Sequence, residues 1–215
     1  MSYGGSKTYY EAFAKYLLEG ELDFKNIFLS DMPDLISDTG TGIEVTRLMD
    51  KNEGEANAYF DKVCGMSFAD VDEAKIGKLN RLGYELLVFD GKICGLCPLE
   101  ITVFSSEYLF DVFRAKLKKL KKYQICKSTS LFVVSFTFRI DLNHDSRIIV
   151  DFLTKADALQ KNSNQKFSII YILDYDGLLI CDLAEKTLQK LHITQEKMLI
   201  YSQLASEYIK NQIQR

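Results

Sequence analysis

The chain has 215 residues, 47% of them hydrophobic and 12% aromatic, with two prolines and a formal net charge of −3. That much apolar material fills the core of one fairly large domain and excludes a disordered or low-complexity chain, while the slight negative charge excludes a general attraction of the whole molecule to polyanions. The apolar stretches LFVVSF and FSIIYIL fall well short of the roughly 20 residues of a membrane span, and MSYGGSKTYY lacks a basic-then-apolar leader, so a soluble, cytoplasmic protein with no membrane partner is expected.

From the N-terminus, Ser6 and Thr8 can cap a helix from about Lys7 to Glu19, with Tyr9, Phe13, Tyr16 and Leu17 on one stripe and Gly20 as its stop. Residues 26–29, 34–37 and 42–48 read as three short strands, the last two joined by SDTGTG, whose glycines permit a tight turn. Residues 53–64 and, more weakly, 71–81 have helical patterns. YELLVFDGKICGL is a hairpin turning at Asp90-Gly91. Ser105 or Ser106 caps a long helix to about Tyr123, with Leu109, Phe110, Phe113, Leu117 and Leu120 as its buried stripe. SLFVVSFTF is a buried strand, 146–160 a helix, KFSIIYILDYDGLLICDL a strand pair turning at Asp176-Gly177, and 195–212 a final helix. The order predicts a single α/β domain over residues 1–215, with a mixed central sheet flanked by helices and a helical and hairpin insertion around 50–104.

Charge is segregated along the chain. Residues 31–76 carry eleven acids and four bases, and residues 111–127 carry seven bases and one acid. An enzyme acting on phosphodiesters with a metal ion needs both, acids for cations and bases for the backbone, although such patches are also common on inert surfaces.

The stretch MPDLISDTGTGIEVTRLM, residues 32–49, falls on the predicted second and third strands. Side chains alternate along a strand, so Glu44 and Thr46 share a face that Arg47 does not. If the two strands pair across the glycine turn, Asp34 can lie beside Glu44, and two adjacent carboxylates repel unless a cation stands between them. Oxygen ligands of this kind suit Mg²⁺ or Mn²⁺, which can activate water for attack on a phosphodiester.

These residues resemble the PD-(D/E)xK nuclease superfamily, with its restriction-endonuclease-like fold: an Asp, often after Pro, then ten or more residues on an acid-x-Lys on the paired strand. Pro33-Asp34 and Glu44-Val45-Thr46 stand at those places. The resemblance implies Asp34 and Glu44 as metal ligands and catalytic residues, Glu11 on the first helix as a third acid, and Mg²⁺-dependent hydrolysis of nucleic acid, DNA above all. Many enzymes of that fold cut duplexes as dimers, so a homodimer is among the arrangements it allows. Thr46 departs from the pattern by replacing a charged lysine with a hydroxyl that can still contact water or a phosphate oxygen. A cation could come from elsewhere, with Lys118 and Lys121 or Lys122 as candidates. The alternative is an inactive nuclease-like fold that only binds nucleic acid or protein.

Each of these features has a plainer explanation as well. Glu11 lies three residues after Thr8 and would complete a capping box. The run RAKLKKLKK reads as a solvated amphipathic face, or else Arg114, Lys118, Lys121 and Lys122 contact phosphates without reading sequence. CGLCP has redox spacing, but it lies on a predicted strand, where Cys94 and Cys97 face opposite ways, and no second pair exists to make a zinc site. Five cysteines at scattered positions suit reduced thiols. His144 in LNHDS reads as a loop residue before a helix.

Overall fold

The central strands of this protein form from continuous apolar runs, LFVV and IIYIL, buried on both faces, whereas segments with apolar residues every three or four positions form helices. The computed structural model describes residues 7–48, 51–99, 106–135, 139–175 and 177–213. In chain order the first elements are α1 (Lys7–Glu21), β1 (Phe28–Leu29), β2 (Leu35–Ile36) and β3 (Thr41–Arg47). There follow α2 (Lys51–Val63), a 3-10 turn (Phe68–Asp70), α3 (Glu73–Arg81), β4 (Tyr84–Phe89) and β5 (Lys92–Pro98). The remainder is α4 (Ser106–Leu120), β6 (Ser128–Val134), α5 (Leu142–Gln160), β7 (Phe167–Leu173), β8 (Gly177–Asp182), β9 (Leu188–His192) and α6 (Gln195–Ile213). None of these helices is long and apolar enough to cross a membrane.

Two compact units result, one from the segment 49–102 and one from 6–48 with 103–215. In the smaller, α2, α3 and the β4–β5 hairpin close over two apolar clusters, around Phe60, Val63 and Ile93 and around Ala56, Leu79 and Tyr84. Asp90 and Gly91 both have positive φ, 50° and 70°, as a two-residue turn matched to strand twist requires. Asp72 caps α3 by accepting from the Ala74 amide.

The larger unit holds a seven-stranded sheet in the order β1-β2-β3-β6-β7-β8-β9. Its centre, β3-β6-β7, is parallel, and both flanks are antiparallel. The strands β3, β6 and β7 progress in one direction across the sheet. Crossovers of one hand therefore place α4 and α5 together on one face. Leu131, Val133, Ile170 and Ile172 point to those helices, and Ile43, Val45, Phe132, Val134, Tyr171 and Leu173 point to α1 and α6. The sheet is thus a mixed one covered by helices on both faces.

Some boundaries differ from the sequence-based expectation. α1 buries Tyr10, Phe13, Ala14, Leu17 and Leu18, a stripe shifted from the expected one, so that Tyr9 and Tyr16 are only half-buried. α5 begins four residues early because Asp141 caps it, accepting from the Asn143 amide, and this places His144 in the first turn instead of a loop. β9 is unanticipated, since LQKLH is an edge strand of mixed polarity with only partial burial. Ser6, Ser105, Asp176 and residues 136–138 of the expected sixth strand lie outside the described residues.

α1 is joined to α6 at its C-terminal end. Glu21 receives Tyr201 Oη at 2.6 Å and Lys197 Nζ at 2.8 Å, and a Cβ on Gly20 would come within 2.8 Å of the Tyr201 ring. Substituting Gly20→Ala should therefore cost about 1–3 kcal/mol in denaturant unfolding, at unchanged slope. Burial raises the Glu21 carboxyl, but Lys197 and Tyr201 outweigh it and hold it below its ordinary value of 4.5. A depressed pKa contributes stability that is present above the unfolded value and lost as pH falls through the folded one. Between about pH 5 and pH 3, wild type should lose more unfolding free energy than Glu21→Gln; equal losses would show that this contact carries no pH-dependent stability.

Candidate active site

Register sets the first contact. β2 pairs with β3 through Leu35 opposite Ile43, and one further step brings Asp34 opposite Glu44. β2 has ended by then, and the amide of Val45 finds the Asp34 side chain instead of a strand carbonyl, with Oδ2 accepting at 2.8 Å. The Pro33 segment can approach because residue 42 is glycine. A Cβ there would lie 2.6 Å from Pro33 Cγ and 2.7 Å from Cys126 Sγ.

Asp34 is 1% exposed, and its other oxygen accepts from Lys7 Nζ at 2.6 Å. The same ammonium lies 3.1 Å from Glu11 Oε1, one helical turn along α1. Thr8 is inside the helix and not at its cap, so the capping-box role expected of Glu11 gives way to this ion pair. Burial, reinforced by the charge of Asp34 and opposed by Lys7, pushes the Glu11 carboxyl above the usual range. Burial pulls the Lys7 ammonium down, but Asp34 and Glu11 more than reverse it and hold it above the usual lysine range.

Glu44 lies on the sheet face opposite to Ile43 and Val45, the face toward α4. Its parallel neighbours in register are Leu131 and then Ile170, both fully buried, which leaves a carboxylate in an apolar row. Such a charge is tolerable only when paired. Its partner is Lys116 of α4, whose Nζ is 2.6 Å from Oε1 and 3.4 Å from the Val45 carbonyl oxygen. Oε2 of Glu44 is buried and has no hydrogen bond. Tyr123, just past α4, is buried within hydrogen-bonding reach of Glu44, and burial, that contact and the charges of Glu44 and Asp34 together push the phenol pKa well above its usual value.

A contrast shows what is unusual here. Asp174 is also fully buried, but Oδ1 accepts from the Gly177 amide, and Oδ2 accepts from the Ile140 amide and Lys190 Nζ. That carboxylate is saturated and ties β9 to the β7–β8 turn. Glu44 keeps one acceptor oxygen unused, and an unsatisfied buried acceptor in an ordered site has a structural cost unless something binds it.

The remaining expected residues are more scattered. Thr46 is half-buried, and its hydroxyl makes only a 3.5 Å contact to the Arg47 carbonyl oxygen. Arg47 points to the opposite face, as alternation requires, with its guanidinium 4.5 Å from the centre of the Tyr10 ring. Lys118, Lys121 and Lys122 are exposed and Arg114 pairs with Asp111, so the cation meeting Glu44 comes from the inner flank of α4 and not from its outer side. Among the described residues no three His, Cys, Asp or Glu side chains gather into a metal-binding cluster. Lys116 and Lys7 were both detectable: Lys116 falls three residues after Phe113 and four before Leu120, on the apolar stripe itself, and Lys7 lies four before Glu11.

No family model matches this chain, and neither a curated protein nor a solved structure matches it.

The ion pair makes a strong energetic demand. Lys116→Met should cost about 3–5 kcal/mol in denaturant unfolding by leaving Glu44 buried without a countercharge, and Glu44→Leu combined with Lys116→Met should recover most of it. A single substitution costing less than about 1 kcal/mol would mean that Glu44 is not effectively desolvated.

Proposed function

We propose that this chain is a nuclease-like protein of restriction-endonuclease-like architecture that hydrolyses phosphodiester bonds, DNA being the expected substrate, with Mg²⁺ or Mn²⁺. The observation that carries this reading is the Glu44–Lys116 pair, which supplies from α4 the ammonium that Thr46 cannot, beside a carboxylate with an unused oxygen. The order of helix, antiparallel strands, helix, strand, helix and strand around parallel β3, β6 and β7 supports the architecture.

The donor set fits a magnesium-type ion. Such an ion binds through one or two carboxylates and retains several waters, and Oε2 of Glu44 is the oxygen that Lys116 leaves without a hydrogen bond. Asp34 and Glu44 would hold the ion, which when bound supplies Lewis acidity and a water of lowered pKa.

The chain's own residues do the rest. The backbone bond to Val45 orients Asp34 independently of any ligand. Lysine has three N–H donors, of which Lys116 directs one to Glu44 and another, more weakly, to the Val45 carbonyl; the third is left for a phosphoryl oxygen. Thr46 shares the strand face of Glu44 and offers a hydroxyl to water or phosphate. Glu11 adds an acid at the α1 side. The exposed Lys118, Lys121 and Lys122, with Arg114, suit phosphate contacts that position a strand without reading its sequence.

A second reading has its own support. Both carboxylates already have ammonium partners, which suits a non-catalytic domain that binds nucleic acid or protein. Incubation with plasmid and single-stranded DNA in Mg²⁺ or Mn²⁺ separates the two. Cleavage by wild type, reduced about 100-fold or more by Glu44→Gln and by Lys116→Ala, is expected. Cleavage unaffected by Glu44→Gln would remove the site from the reaction, and DNA binding without cleavage would favour the binding module.

A further inference from the structure

The two lysines at this site differ in a way that assigns them different tasks. Lys116 has a side chain only 14% exposed and is anchored at both Glu44 and the Val45 carbonyl. Lys7 is the first helical residue described, its side chain is 67% exposed, and its ammonium rests between Asp34 and Glu11. We propose that Lys7 is a displaceable placeholder, an internal cation that occupies the Asp34 oxygen a divalent ion would take and must leave before such an ion can bind. This inference rests on the metal-dependent reading above and adds a gate to it.

Geometry supports the exchange in three ways. Asp34 Oδ2 is fixed by the Val45 amide, so the carboxylate keeps its orientation when Oδ1 loses Lys7. A divalent ion on Oδ1 and an ammonium 2.6 Å from that same oxygen repel one another strongly, and both cannot stay. The lysine stem already runs through solvent, so withdrawing it opens no cavity in the core. Departure of Lys7 also releases Glu11 Oε1, and leaves the Asp34 and Glu11 carboxylates without their shared ammonium as a cation arrives. Lys116 stays, because removing it would strand Glu44 in its apolar row.

The gate is read by metal binding without substrate. Mn²⁺ affinity of the full chain is measured by calorimetry, or by electron paramagnetic resonance of free Mn²⁺, for wild type, Lys7→Met, Lys7→Arg and Asp34→Asn. Lys7→Met should bind about tenfold tighter or more, Lys7→Arg should not, and Asp34→Asn should abolish binding in either background. Equal affinity of wild type and Lys7→Met, both lost with Asp34→Asn, would overturn the placeholder while leaving the metal site standing. Absence of Mn²⁺ binding in every variant, with unchanged circular dichroism, would overturn both.

Discussion

The larger unit depends on how a negative charge is kept inside its sheet. Glu44 occupies a position on β3 whose neighbours across β6 and β7 are leucine and isoleucine, and a hydrophobic residue would pack there without difficulty. Holding a carboxylate there obliges α4 to carry a lysine on its packed stripe instead of its wet side. The helix can do so because lysine's long aliphatic stem passes through apolar contacts before its ammonium reaches the strand. A well-packed aliphatic pair is often as stable as a buried ion pair, so stability alone does not account for the arrangement. The arrangement leaves one buried carboxylate oxygen of Glu44 without a hydrogen bond.

The scaffold makes the arrangement precise. Parallel β3, β6 and β7 fix α4 and α5 against one face through repeated apolar contacts, and α1 and α6 close the other. Asp34 belongs to neither helical layer. It stands where an antiparallel strand stops pairing, held by a main-chain amide on one side and by α1 on the other. Two acids adjacent in the strand register are thus supported by different helices, and each receives its countercharge from a different direction.

Much of the fold is legible in the sequence because period and punctuation agree there. The long helices have clear stripes, and the glycine-bearing turns at 37–42 and 90–91 mark their strand pairs. β9 is not legible, because LQKLH has neither β-branched residues nor a clean alternation, and the start of α5 is hidden behind a polar LNHDS that looks like a loop until Asp141 is seen to cap it. At the site, the positions of Asp34 and Glu44 and the face of Arg47 follow from strand alternation and turn length. The origin of the countercharges does not, because sequence spacing reveals which residues share a face but not which helix that face will meet. Thr46 stands where the resemblance expects a lysine, whereas the lysine that meets Glu44 is 72 residues away in a run of six other bases spanning 114–127.

The bond between Asp34 and the Val45 amide joins two kinds of structure that are usually separate. One carboxylate completes the hydrogen bonding of a strand and, through its other oxygen, answers to whatever cation lies in front of it. Electron density drawn toward that cation weakens the acceptor on the opposite oxygen, so a change in occupancy is felt at a main-chain proton inside the sheet. The Val45 N–H is therefore a resident spectroscopic probe, whose resonance and exchange rate track the ionic state of a site that the amide itself never enters.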